Sequence, residues 1–362
     1  MKPGMMRAVI KPGEGPGVQL ARVPTPTIGT TDVLIKVKAA SICGSDIPIY
    51  DWDDPWTRAT VQPGQIIGHE FCGEVIERGE QVDIVSVGDL VAVEGHLNCG
   101  ACTQCRNGEG NVCPNVKLLG FERPGAFAEY IAVPARNVIP LSRLPLSVAA
   151  ILDPFGCAVH SVTKVPLVNN TILITGCGPI GLMTITLAKI LGTRRIFATE
   201  VSQYRLDLAT KIGADLALNP HSDDVETIVK KETAIDSGVD VLFEMSGNPE
   251  AIKLGFKVLR PGGQAILLGL PKEPVLFDFA NELVSKSITV HGIIGRNIYK
   301  TWVQVQKFLD PACSTKSINL MPIITHHFLI DDFEKAMDLV RSRRCGKVIL
   351  YMEEESMLQN SI

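Results

Sequence analysis

The sequence predicts an α/β protein in which a β-rich, barrel-like region precedes a doubly wound parallel sheet. Three observations point that way. Up to about residue 166 the chain is a succession of short β-rich runs, among them VLIKVKAASICG, EFCGEVIERG and VGDLVAVEG, cut by Gly, Pro and Asp turns. From Thr171 onward near-continuous apolar strands alternate with helical patterns, as in TILITG, GLMTITLAKILG, RIFATE and QYRLDLATKIG. That alternation predicts a parallel sheet covered on both faces. Finally, the first of those strands runs straight into a glycine-rich turn.

The elements follow in order. AEYIAVPARNVIPL continues the β-rich style, and a helix is expected from near Leu146 towards Ala150. After QYRLDLATKIG come the strands ADLALNP and VDVLFEMSG, a helix over AIKLGFKVLRPGG, and the strands QAILLGL and SITVHGIIG. Two further helical patterns, YKTWVQVQKFL and DDFEKAMDLVRS, lead to the strand GKVIL, and the polar tail EEESMLQNSI is expected to fray.

At 362 residues the chain is long enough for two domains. The balance of 35 Lys and Arg against 39 Asp and Glu, with no basic block, leaves no footprint for nucleic acid or an anionic membrane surface. No window approaches the about 18 consecutive apolar residues of a membrane span. Pro and Gly interrupt the opening MKPGMMRAVIKPGEGPG before any apolar region develops, so a cytoplasmic protein is expected. In that compartment the ten cysteines are not disulfides.

Strand Thr171–Thr175 enters Gly176-Cys177-Gly178-Pro179-Ile180-Gly181, a G-x-G-x-x-G after a strand and at the start of a helix. Gly176 permits the turn, Gly178 lets backbone approach a pyrophosphate, and Gly181 lets helix and strand pack closely. The helix N-terminus then faces the phosphates. At the end of the next strand, Glu200 stands where a carboxylate binds the adenosine ribose hydroxyls, which favours NAD over NADP. A solvated strand-end residue is the plainer reading of Glu200, and nearby Arg205 is of the type that accommodates NADP. Ile180, and Leu268, Gly269, Leu270, Ile293 and Ile294 in the loops after later strands, are expected to line the dinucleotide.

Cys99, Cys102, Cys105 and Cys113 are spaced C-x2-C-x2-C-x7-C in a Gly- and Asn-rich loop. Four close thiolates suit tetrahedral zinc, and a closed set of four leaves no place for substrate, so that zinc is structural. An iron–sulfur cluster or free thiols are the rival readings, though the spacing differs from ferredoxin runs. Two other stretches look chemical: Cys43-Gly44-Ser45-Asp46 and Gly68-His69-Glu70. Alone, a buried cysteine and a histidine are more often plain structure than ligands.

Taken together, these motifs resemble the zinc-containing medium-chain alcohol dehydrogenase superfamily along the whole chain. Stretches such as SICGSDIPIYDWDD, EGHLNCGACTQC, LDPFGCAVHSV and GIIGRNIYKTW are similar to its threonine-oxidising branch. The resemblance implies a GroES-like catalytic domain over residues 1–165 with two zinc sites. A Rossmann NAD-binding domain over 166–305 follows, then a segment, 306–362, returning to the first domain, with the active site in the cleft between the two. It implies a catalytic zinc on Cys43, His69 and Glu70, with Asp153 as a ligand or outer-sphere proton carrier. Ser45 would pass the alcohol proton outward, and His96 would recognise the amino-acid head group or else support the zinc lobe. His160 reads as structural. The implied reaction takes L-threonine to L-2-amino-3-ketobutyrate with hydride transfer to NAD, in a homotetramer. The same residues also suit a polyol or sugar dehydrogenase of this fold, or a catalytically silent member. One departure stands out: Pro48 occupies the place of the usual relay histidine and can carry no proton. Residues 311–317 read as a small surface insertion.

Overall fold

The computed structural model describes residues 4–142, 144–235, 237–310 and 318–359; the insertion read at 311–317 lies outside them. By packing, the chain divides into two units, Met1–Asp153 with Ile324–Ile362, and Pro154–Ile323. The sequence pattern suggests breaks near 165 and 305, and packing moves both. Helix Leu152–Val162 carries Gly156, where a Cβ would come within 2.2 Å of the Arg296 side chain. Helix Lys300–Leu309 buries Trp302, whose ring lies under the Arg296 guanidinium. Helix Lys300–Leu309 and the part of Leu152–Val162 from Pro154 onward therefore belong with the second unit.

The first unit is β-rich. Strand Asp32–Ser41 lies at its centre, buried along most of its length, and pairs antiparallel with Glu70–Arg78, Tyr130–Pro134 and Lys347–Tyr351. Leu90–Val93 and Val138–Pro140 extend the same sheet on one side, and Ile324–Leu329 on the other. A smaller sheet joins Gln19–Pro24, Met5–Lys11 and Gln65–Ile66. Alternating Val, Ile and Phe from these strands, with Met337 and Val340 of helix Phe333–Arg341, form the core. Within the tail expected to fray, Glu354–Gln359 form a helix with Ser356 buried, and residues 360–362 lie outside the described residues.

The second unit is a single six-stranded sheet with every pairing parallel. Its strands in chain order are Thr171–Thr175, Arg195–Thr199, Leu216–Leu218, Val239–Glu244, Leu259–Leu267 and Thr289–Gly292. Their spatial order is third, second, first, fourth, fifth, sixth, the Rossmann order. The helix expected over AIKLGFKVLRPGG ends earlier, at Val258. Pro261 disfavours helix in the residue before it, and the chain is already extended at Leu259. Among the described residues no helix is long and apolar enough to cross a membrane.

Leu173, in the first strand of the parallel sheet, is fully buried against Phe197 and Leu242 in the core of this unit. Leu173→Ala is expected to lower unfolding free energy by about 3 kcal/mol, the cost of a core cavity. Urea denaturation followed by circular dichroism measures it, and a change below about 1 kcal/mol contradicts this packing.

Candidate active site

Strand register builds the first ligand set. Ser41 stands opposite Glu70 on one side and Ile349 on the other. Cys43 lies two residues beyond Ser41, His69 one before Glu70 and Lys347 two before Ile349, so all three fall at the same end of the sheet. The chain turns sharply into His69 at Gly68, whose φ of +89° suits only glycine and whose absent Cβ leaves room for the Phe127 ring. Ligand atoms of Cys43, His69 and Glu70 all lie within 4.8 Å of one another.

The electrostatics of this cluster favour a cation. Asp46, fully buried, accepts the Cys43 backbone N–H at 2.8 Å, and burial pushes its carboxyl up to about 6. His69 Nδ1 sits 3.7 Å from Asp46 Oδ1, and neither atom has a hydrogen-bond partner among the described residues. Burial opposes charge on the His69 imidazole, but Cys43, Asp46 and Glu70 outweigh it and raise its pKa. Orphaned buried polar atoms beside a thiol and two carboxylates fit a metal ion held by Cys43, His69 and Glu70. The His69 side chain remains 15% exposed, so the site can be reached.

Glu70 is more constrained than its sequence position suggests. Its Oε2 accepts both Ser41 Oγ and the Lys347 ammonium, and Lys347 also donates to Ile42 O at 2.9 Å. Lys347 and Glu70 are each 1% exposed. Asp153 is buried near the cluster: its Oδ2 and the His69 Cβ both lie within 3.8 Å of where a Gly95 Cβ would stand. It is not part of the ligand set. Ser45 is exposed at the start of helix Asp46–Asp51 and makes no side-chain cap bond, and Pro48 lies within that helix. His96 Nδ1 is 2.8 Å from Glu94 Oε1, which also accepts the His96 backbone N–H at 2.9 Å. Asn137 Nδ2 donates to the carbonyls of Glu94 and His96. His160 Nδ1 lies 3.0 Å from the Gly295 carbonyl, a structural contact.

Around the four-cysteine loop, sulfur separations are 3.9 Å for Cys99–Cys105 and 3.7 Å for Cys102–Cys113. Four sulfurs about 2.3 Å from a tetrahedral zinc stand roughly 3.8 Å apart, whereas a disulfide needs about 2 Å. Backbone N–H groups of Cys99, Cys102 and Asn115 point at these sulfurs at 3.4–3.5 Å, as does Asn98 Nδ2. Backbone donation from Ala101 and Cys102 brings the Cys99 thiol down to about 6. The sulfur spacing suits zinc.

In the second unit, Gly176 has φ +90°, and a Cβ there would meet Ser246 at 2.9 Å. A Cβ on Gly181 would lie 2.1 Å from the Gly176 carbonyl oxygen. Helix Pro179–Ile190 begins at Gly178 with Ile180 half-buried in its first turn. The bare turn and open helix N-terminus form a cradle that fits a dinucleotide pyrophosphate. Glu200 is buried, and its two oxygens accept the N–H groups of Cys177, Val201 and Ser202 at 2.8–3.1 Å. It therefore braces the turn as well as standing at the strand end. Arg205 reaches the same turn, with Nη1 4.0 Å from a Cβ placed on Gly178. Leu268, Gly269 and Leu270 follow strand Leu259–Leu267, and Ile293 and Ile294 follow Thr289–Gly292. Leu270 and Ile294 are exposed and Ile293 is buried.

Sequence reasoning missed five residues. Lys347 was visible in Gly-Lys-Val and Asp46 in Cys-Gly-Ser-Asp, but their partners are distant in sequence. Glu94 and Asn137 carried no pattern. Glu244 is a fifth: fully buried at a strand end, it accepts the Thr175 and Ser246 hydroxyls and the Ser246 and Gly247 N–H groups beside the glycine turn.

A Rossmann sheet with its glycine turn, joined in one chain to a β-rich unit bearing two metal-ligand sets, defines the alcohol-dehydrogenase class. Two family signatures match, the alcohol dehydrogenase GroES-like domain over residues 29–143 and the zinc-binding dehydrogenase over 179–310. An L-threonine 3-dehydrogenase of Caldanaerobacter subterraneus is 44% identical across 96% of this chain and 99% of its own. One from Symbiobacterium thermophilum is 42% identical across 95% and 97%. An Escherichia coli CFT073 alcohol dehydrogenase solved with NADH superposes with a TM-score of 0.86 at 27% identity, over 97% of this chain and 100% of its own. The chain belongs to the L-threonine 3-dehydrogenase family of zinc-binding dehydrogenases.

Because the Gly181 Cα lies so close to the turn, Gly181→Val is expected to weaken NAD binding by about tenfold or more, about 1.4 kcal/mol. Fluorescence titration with NADH measures this. An unchanged Kd would show that the turn does not receive the dinucleotide.

Proposed function

We propose that the protein oxidises L-threonine to L-2-amino-3-ketobutyrate and delivers the hydride to NAD. The observation that carries this reading is the gathering of Cys43, His69 and Glu70 at one sheet end, in a chain 44% identical over 349 residues to an L-threonine 3-dehydrogenase. When bound, zinc polarises a hydroxyl group and NAD accepts a hydride. Cys43 and His69 hold the catalytic ion with Glu70 as third member of the set. Asp153, packed beside His69, orients the site from outside that set. Ser45 takes up the hydroxyl proton and, being exposed, passes it to solvent; this route supplies what Pro48 cannot. His96, fixed by Glu94, recognises the amino-acid head group.

In the second unit, Gly176, Gly178, Ile180 and Gly181 receive the pyrophosphate. Glu200 accepts the adenosine ribose hydroxyls with its remaining lone pairs, which disfavours a 2′-phosphate, and Arg205 lies beside it. Leu268, Gly269, Leu270, Ile293 and Ile294 line the dinucleotide. Cys99, Cys102, Cys105 and Cys113 hold a second, structural zinc. We place the enzyme in the cytoplasm as a homotetramer. The exposed side chains of Leu276, Phe279 and Val284, in the segment leading to the edge strand Thr289–Gly292, favour self-association.

A spectrophotometric assay following NADH at 340 nm on the zinc-loaded protein tests the reading. L-threonine with NAD is expected to give turnover well above that with sorbitol-like polyols. Reduction of NAD by polyols alone overturns the substrate assignment.

Cys43→Ser is expected to abolish turnover, a fall of about a thousandfold or more, and to leave the Kd for NADH within about twofold of the parent. Loss of NADH affinity in the same variant would contradict the separation of the two sites.

A further inference from the structure

The buried pair Lys347–Glu70 stands out among the ion pairs of the described residues, since both partners are almost wholly removed from solvent. It also sits on the ligand set: Glu70 is grouped with Cys43 and His69, and the second Lys347 donor bond goes to the carbonyl of Ile42, the residue before Cys43. Two cations therefore call on one carboxylate. The ammonium and Ser41 Oγ already share Glu70 Oε2, and a metal ion held by the same group must compete with them. Neither solvent nor salt screens this competition at such depth.

We propose that Lys347 is a positioning residue that restrains Glu70 and thereby sets how tightly the catalytic metal is held. The inference rests on the reading of Cys43, His69 and Glu70 as that metal's ligands. Without Lys347, the metal-free protein keeps a buried carboxylate left with only the neighbouring His69 imidazole to answer it, a costly arrangement. The loaded protein loses much less, because the metal neutralises Glu70. It also loses the repulsion between ammonium and metal. Both effects tighten metal binding. A residue that merely ties the last strand to the sheet would instead destabilise both forms alike.

The test uses full-length protein, loaded with zinc or stripped by chelator, and reads zinc affinity by competition with a chromogenic chelator alongside Tm. Lys347→Met is expected to tighten the weaker-held of two zinc ions by about tenfold or more, opposite in sign to the loss that usually follows removal of a ligand's outer partner, and to widen the Tm gap between loaded and stripped protein. Lys347→Arg keeps the charge and is expected to behave as the parent. Adding Glu70→Gln to Lys347→Met removes both charges and is expected to cancel the tightening. Unchanged or weaker zinc affinity in Lys347→Met, with both Tm values falling equally, overturns the proposal while leaving the catalytic metal in place. A parent protein that holds only one zinc, lost when the four-cysteine loop is mutated, overturns the underlying reading and this inference with it.

Discussion

The first unit depends on one register. Antiparallel pairing sets Ser41 across from Glu70 and from Ile349, so three chain segments widely separated in sequence end side by side. A slip of one residue would turn every side chain to the opposite face. It would send Glu70 into the apolar core and carry Cys43 away from His69. Buried Val33, Ile35 and Val37 on one strand and Val75 on its partner specify the register through hydrophobic packing. The arrangement of Cys43, His69 and Glu70 is thus a consequence of how the core packs.

The cost of that arrangement is a concentration of buried charge. Asp46, Glu70 and Lys347 are all out of solvent, and His69 nearly so. Burial of unpaired charge is unfavourable by several kcal/mol, on the order of 3–5 when one partner is missing. Lys347 answers part of the negative charge, and the orphaned atoms of His69 and Asp46 show where the rest remains unanswered. A divalent ion held there would supply counter-charge. In the four-cysteine loop, backbone N–H groups likewise point at the sulfurs.

In the second unit the constraint is steric. The glycine turn works because Gly181 lies against the Gly176 carbonyl and Gly176 lies against Ser246. Glu200 braces the turn through the Cys177 N–H, and Glu244 holds the Ser246–Gly247 segment against which Gly176 packs, through the Ser246 and Gly247 N–H groups. Carboxylates at strand ends therefore fix the loop geometry that a pyrophosphate requires, and the parallel sheet places them there.

Much of this was legible in the sequence. Periodicity separated the β-rich part from the alternating part, and the glycine turn and the four-cysteine spacing could be read because each depends on residues close in the chain, whereas Cys-Gly-Ser-Asp and Gly-His-Glu gained meaning only from the family resemblance. Short-range chemistry leaves short-range patterns. What tertiary structure alone decided was of the opposite kind. The ends of the helix after Asn248 and of the polar tail followed from packing and from Pro261. The burial of Lys347 on Glu70, Asp46 beneath His69, Glu94 behind His96 and Glu244 beside the glycine turn joins residues with no common motif. Their pairing is set by strand register and by the low dielectric of the interior, where a charge must find a partner, and a linear pattern records neither.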